Sequence, residues 1–199
     1  MIFLSDGHDI ISYGARYKNI KEHELILKFN NLIEDYFKIS GVPYIRVNAD
    51  YRCVDESFKI SSKVLSLKYK VNYINQLVKY FKNPLAIETH FNYYDGKDNN
   101  KGCGYEVLYY SHSEISKKLA LLLLKNVRDF DIMTHLIDRG VKAREDLYFL
   151  KGTKCPALII EPFFLDDDIE FALNDSMFEM LAVAWAHSIE KLYKGGVLK

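Results

Sequence analysis

Apolar positions in this chain switch between two periods. Residues 1–4, Met-Ile-Phe-Leu, form an unbroken apolar run that ends at Ser5-Asp6-Gly7, the pattern of a short buried strand. Leu25, Phe29, Leu32 and Tyr36, with Ile26, Ile33 and Phe37 beside them, then recur at helical spacing. This predicts a helix over 22–38, stopped by Ser40-Gly41. A second strand is read over 42–47, with Pro43 tolerated at its start. A second helix is read over 62–82, where Val64, Leu67, Val71, Ile74 and Val78 lie near one face. Residues 85–90 form a third strand, 95–102 a polar loop, 105–110 a β-rich strand, and 113–127 a helix opened by Ser113. No clean period runs through 129–146, read as a loop with a short helix. Strands over 148–150 and 157–160 are joined by the turn Lys151-Gly-Thr-Lys154. A closing helix over 175–194 starts at Asp175-Ser176 and stops at Gly195-Gly196. Strands alternating with helices predict an α/β fold: a single-domain three-layer sandwich with a central, mostly parallel mixed sheet flanked by helices. Sheets of this kind carry their chemistry at strand ends.

Composition narrows the function classes. A chain of 199 residues suits one domain with a sizeable core. Lys+Arg and Asp+Glu are equal at 27 each, which argues against nucleic acid or an anionic membrane as partner. A neutral or mixed-charge polymer stays open as substrate. No apolar run approaches the roughly 20 residues that cross a bilayer, so no membrane insertion is expected. Cys53, Cys103 and Cys155 are odd in number, far apart and without a CxxC pair. They are read as thiols of a reducing compartment rather than as a disulfide framework or an all-cysteine zinc site. Met1-Ile-Phe-Leu runs straight into polar residues, so cytoplasmic synthesis without a signal peptide is expected. A monomer is expected.

Three candidate ligands fall at strand ends. His8 follows the first strand, His90 ends the third in Ile87-Glu-Thr-His90, and Glu161 ends Ala157-Leu-Ile-Ile-Glu161. A carboxylate directly after Leu-Ile-Ile is costly to bury unless paired or bound to a cation. Glu22, which opens the first helix, is a fourth candidate, with Glu24 its close competitor. Two imidazoles and a carboxylate, with a position left for water, make a catalytic zinc site. Such an ion lowers the pKa of its water toward about 7 and polarises a carbonyl. A second carboxylate that takes the water's proton completes an amide hydrolase. Each residue also has a plainer reading. His8 is then a turn histidine, His90 a strand-end histidine held by backbone, Glu22 a first-turn carboxylate favoured by the helix dipole, and Glu161 a buried ion-pair partner.

The order of short motifs resembles the zinc-dependent N-acetylmuramoyl-L-alanine amidases of the amidase-3 type, the catalytic domains of phage endolysins and bacterial autolysins. Leu4-Ser-Asp-Gly-His8 is similar to the family's "LDPGH", and Gly14-Ala15 with Lys21-Glu-His-Glu-Leu25 to "GA…KExxL". Ser66-Leu-Lys-Tyr-Lys-Val-Asn72 with Asn75 resembles "L..RV..AN", and Thr89-His-Phe-Asn92 resembles "SIHxN". Gly104-Tyr-Glu-Val-Leu-Tyr-Tyr110 is similar to "GxExYY", with Ser116-Lys-Lys-Leu-Ala120 resembling the helix that follows. Arg139-Gly-Val-Lys142, Leu147-Tyr-Phe-Leu150 and Cys155-Pro-Ala-Leu-Ile-Ile-Glu161 resemble "RGVK…LYVL…PAVLVE".

The resemblance covers nearly the whole chain as one catalytic domain, 1–199, with no separate wall-binding domain. It implies one Zn²⁺ ion held by His8, Glu22 and His90, with Glu161 as general base. The implied substrate is bacterial peptidoglycan, cut at the amide between N-acetylmuramic acid and the L-alanine of the stem peptide. The implied setting is action on the wall after release, as in phage-type or host-cell lysis. A zinc peptidase acting within the stem peptide and a non-catalytic wall-binding module with a degenerate site are the rival readings. Three departures stand out. Ser5 replaces the family's aspartate, which leaves Asp6 or Asp9 as candidate partners of His8. Glu88 replaces the small residue two before His90 and, by strand alternation, shares its face. Pro162-Phe-Phe164 replaces a glycine-containing turn after Glu161. Arg139, Lys142 and Asn92 are candidate substrate contacts. Tyr93, Tyr94, Tyr109 and Tyr110 are candidate groove residues, although for any one of them core packing is the favoured reading.

Overall fold

The computed structural model describes residues 1–9, 12–48, 63–94 and 102–196. Cys53 and all but the end of the polar loop expected at 95–102 lie outside the described residues. The elements in chain order are β1 (Ile2–Asp6), β2 (Arg16–Tyr17), β3 (Ile20–Lys21), α1 (Glu22–Ser40), β4 (Tyr44–Val47), α2 (Lys63–Leu77), β5 (Leu85–Thr89), β6 (Tyr105–Tyr110), α3 (Glu114–Val127), β7 (Asp138–Arg144), α4 (Tyr148–Gly152), β8 (Ala157–Glu161), α5 (Ile169–Leu173) and α6 (Asp175–Lys194). Short 3₁₀ turns occupy Val78–Tyr80 and Asp131–His135.

Strands β4-β1-β5-β8-β6-β7 form the sheet in that spatial order, and β2 with β3 makes a separate small ribbon. Strands β4, β1, β5 and β8 run parallel; β6 pairs antiparallel to β8 and parallel to the edge strand β7. The sheet is therefore mixed and mostly parallel, as expected. Strand alternation divides the core into two layers. Ile2, Leu4, Leu85, Ile87, Val107, Tyr109, Leu158 and Ile160 face α1, α3 and α6. Phe3, Ala86, Leu108, Ala157 and Ile159 face α2 and α4, against Val71, Ile74, Phe149 and Leu150. Strands buried on both faces explain why 1–4 and 157–160 read as unbroken apolar runs.

The caps follow local chemistry. Gly41 ends α1 in the left-handed region at φ 72° and donates its N–H to Phe37 O. Ser113 Oγ accepts the N–H of Ser116 and starts α3. The cap of α6 is Asn174, whose side chain accepts from Met177 N, one residue before the expected Asp175-Ser176. Among the described residues, no helix is long and apolar enough to cross a membrane.

Two expectations fail. Residues 148–150 are the helix α4, closed by Lys151 N–H on Leu147 O at 3.1 Å, and not a strand. Three consecutive apolar residues carry no period, and only the packing of adjacent Phe149 and Leu150 into one layer distinguishes the two. Within 129–146 lies the strand β7, where a loop was expected. It is a half-exposed edge strand with irregular register and Gly140 at φ 77°, so its sequence does not alternate. The ribbon of β2 and β3 and the one-turn helix α5 were not anticipated.

Candidate metal centre and cleft

The carboxyl ends of β1, β5 and β8 and the start of β6 meet at one edge of the sheet. His8 follows β1, His90 follows β5, and Glu161 ends β8. Glu22 is the first residue of α1, where the preceding ribbon turns the chain back onto the sheet. The side-chain donor atoms of His8, Glu22 and His90 all lie within 4.8 Å of one another. Glu22 Oε2 is 3.2 Å from His8 Nε2, and Glu22 Oε1 is 3.2 Å from His90 Nδ1. Two imidazole nitrogens and a carboxylate oxygen converging this closely are a donor set that suits a metal ion such as zinc. The competitor Glu24 turns outward, where Lys21 pairs with it at 2.9 Å.

The backbone fixes the carboxylate. Ala15 N–H donates to Glu22 Oε2 at 2.8 Å, and Phe91 N–H to Oε1 at 3.0 Å. Gly14, at φ 72°, passes so close that a β-carbon there would lie 2.3 Å from Glu22 Oε2 and 2.4 Å from His8 Cδ2. Gly7 does the same for His90, with a β-carbon 2.4 Å from its Nε2. Both approaches need glycine. The two imidazoles stand edge to face with centroids 4.8 Å apart.

Electrostatics set this cluster apart. Burial would raise the Glu22 carboxyl, but hydrogen bonds to His8 and His90 hold it well below the usual carboxylate range. Burial would lower His90, yet its bonds to Glu22 and Glu88 push it up to about 10. Glu161 behaves oppositely. Burial pushes its carboxyl up to about 8; His90 opposes the shift, and the charges of Glu22, Glu106 and Glu88 add to it. Its Oε2 is buried and has no hydrogen-bond partner among the described residues. The plainer reading of Glu161, a carboxylate paired with lysine or arginine, does not describe this atom.

Other predicted residues divide. Asp6 turns to the α1 side, where Asn30 donates to it at 2.6 Å and Arg46 Nε at 3.0 Å. Asp9 accepts from Ser12 N–H at 2.8 Å and from the Ser66 hydroxyl. Ser12 Oγ lies 3.5 Å from His8 Nδ1. Glu88 reaches its expected neighbour, with Oε1 3.0 Å from His90 Nε2. Asn92 Nδ2 donates to Glu106 at 2.9 Å, as does Arg139 Nε, whose guanidinium also stacks 4.7 Å from the Phe164 ring centroid. Lys142 is exposed farther along β7. Of the candidate groove tyrosines, Tyr109 packs in the core, Tyr94 and Tyr110 are half-buried, and Tyr93 is exposed.

Two neighbours were missed. Glu106 faces Glu161 directly across β6 and β8, and Lys70 of α2 sends a buried ammonium to Glu88 at 3.1 Å. Each had a signal. Glu106 interrupts an apolar strand as Glu161 does, and Lys70 stands inside the apolar stripe of Leu67, Val71 and Ile74. A cavity of about 230 Å³ opens beside His8 and His90, walled by Leu67, Tyr148, Phe149 and Ile159.

Known proteins share this fold. The solved amidase of Clostridium difficile 630 superposes with a TM-score of 0.74 at 20% identity, covering 97% of this chain and 96% of that one. The catalytic domain of the CD27L endolysin targeting Clostridia difficile gives 0.69 at 26% identity, with 96% of each chain covered. The endolysin of Bacillus phage SPP1 is 24% identical over 205 residues, 96% of this chain, and the chain spans 65% of the length of that curated relative. The family model described as N-acetylmuramoyl-L-alanine amidase matches residues 2–191, and the chain therefore belongs to the amidase-3 family.

Proposed function

We propose that the protein is a zinc-dependent peptidoglycan hydrolase that cuts the amide between N-acetylmuramic acid and L-alanine. The observation that carries this reading is Glu161 Oε2, a buried carboxylate oxygen with no hydrogen-bond partner among the described residues, beside a cluster of two histidines and a glutamate. His8 through Nε2, His90 through Nδ1 and Glu22 through its carboxylate would hold the ion. When bound, zinc supplies polarisation of the scissile carbonyl, activation of the attacking water, and a charge that draws the Glu161 carboxyl toward its ionised form.

The chain's own residues do the rest. Glu161 Oε2 accepts the proton of the attacking water and returns it to the leaving nitrogen of L-alanine. The backbone N–H groups of Ala15 and Phe91 hold Glu22 in place without reorganisation during the reaction. Asn92 Nδ2 and Arg139 Nε hold the Glu106 carboxylate in place across the strand pair from Glu161.

The test is product analysis on purified sacculi. The zinc-loaded protein releases new L-alanine amino termini. Glu161→Gln keeps its fold and its zinc and loses about 10²–10⁴-fold in rate. Chelator-treated protein releases none. New termini inside the stem peptide identify a peptidase instead, and binding to sacculi without any release identifies a wall-binding module.

A further inference from the structure

We propose that Glu88 is the positioning residue of His90: its carboxylate bridges Lys70 and Ser5 to His90 Nε2 and so leaves Nδ1 as the nitrogen that faces Glu22 and His8. The inference deepens the metal-centre reading above and rests on it. Every contact of Glu88 points to one geometry. Its Oε2 accepts from the Ser5 hydroxyl at 3.0 Å and from Lys70 Nζ at 3.1 Å, and its Oε1 lies 3.0 Å from His90 Nε2. The ammonium of Lys70 is anchored in turn on the carbonyls of Asp6 and Gly7, the loop that carries His8. Lys70 and Glu88 are each only 2% exposed, so neither relaxes into solvent. The nitrogen of an imidazole that is free to bind a cation is set by the hydrogen bond its other nitrogen makes.

The arrangement follows from register. Ser5 and Glu88 are paired directly across β1 and β5, and alternation turns both toward α2, which brings Lys70. The motif "LDPGH" carries its acid at the place of Ser5, and "SIHxN" a small residue at that of Glu88. In this chain the carboxylate has moved across the register pair, one strand closer to His90. A glutamate reaches Nε2 from there, and Gly7, which leaves no room for a β-carbon beside that nitrogen, keeps the path open.

Removing Glu88 alone would strand the Lys70 charge in the interior. The test therefore replaces the pair together, as Lys70→Met/Glu88→Ser, alongside Glu88→Gln, which keeps an acceptor oxygen. Thermal melts check the fold. Zinc affinity is read by competition with a chromophoric chelator, and the His90 ring by ¹⁵N-edited NMR of the zinc-free protein. In the parent, His90 shows an Nε2–H protected from exchange. The double variant loses that signal and binds zinc about 10–100-fold more weakly while still melting cooperatively. Glu88→Gln retains the signal and loses less affinity. A parent without a protected Nε2–H, or a folded double variant that binds zinc as tightly as the parent, overturns the proposal. A parent that shows the protected Nε2–H but takes up no zinc overturns the metal-centre reading instead.

Discussion

Gly14 gives a test in which backbone strain and ligand displacement separate. Its φ of 72° is left-handed, so Gly14→Ala costs about 1–2 kcal/mol in backbone strain alone. For a chain of this size each kcal/mol lowers Tm by roughly 2–4 °C, so strain predicts a fall of roughly 2–8 °C. The new methyl adds a second effect. It would lie 2.3 Å from Glu22 Oε2, 2.4 Å from His8 Cδ2 and 2.7 Å from His8 Nε2. Ordinary contact between carbon atoms is about 3.5–4.0 Å, so both side chains must move by about 1 Å. A metal site tolerates about 0.2 Å in its ligand distances, and a misplacement of about 1 Å can cost about 10²-fold in rate. Gly41→Ala is the control: its φ is also 72°, but no atom lies within 4 Å of the added carbon. Both variants should melt lower in the zinc-free form, Gly14→Ala by more, because displacing Glu22 and His8 adds to the strain the two share. Only Gly14→Ala should lose zinc affinity in a chelator competition and lose amidase turnover on sacculi. A Gly14→Ala protein with the parent's zinc affinity and turnover refutes the packing of Gly14 between the two ligands.

Two further outcomes test the frame around the site. Asp168 Oδ2 accepts the N–H groups of Gly104 at 2.7 Å and Phe164 at 3.0 Å, so Asp168→Ala should cost roughly 1–3 kcal/mol for each amide left without an acceptor, read by urea denaturation. Asp168→Asn, which keeps an acceptor oxygen, should lose less. Burial pushes the Cys155 thiol up from 9.0 to about 12, so the folded state favours its protonated form. The stability this contributes is intact below pH 9 and is lost as pH rises from 9 toward about 12; Cys155→Ala should flatten that alkaline fall, and an unchanged slope would exclude the thiol as its source.

The sequence by itself determined the elements whose information is local. Helical period located α1, α3 and α6, and Gly41 and Ser113 marked a stop and a start, because a cap acts within one turn. Unbroken apolar runs located β1 and β8, because parallel strands are buried on both faces. The same logic placed His8, His90 and Glu161 at strand ends, where polar residues interrupt those runs. Tertiary structure decided what depended on partners far along the chain. It brought Glu22, already favoured by the motif resemblance, against both histidines and left Glu24 outward with Lys21. It made 148–150 a helix and 138–144 an edge strand, because packing against α2 and pairing with β6 outweighed weak local preference. It joined Glu88 to Lys70 and Glu106 to Arg139, pairs separated by 18 and 33 residues. A buried charge announces itself in the sequence by its cost, but its partner is chosen by register and by the helix that covers the sheet.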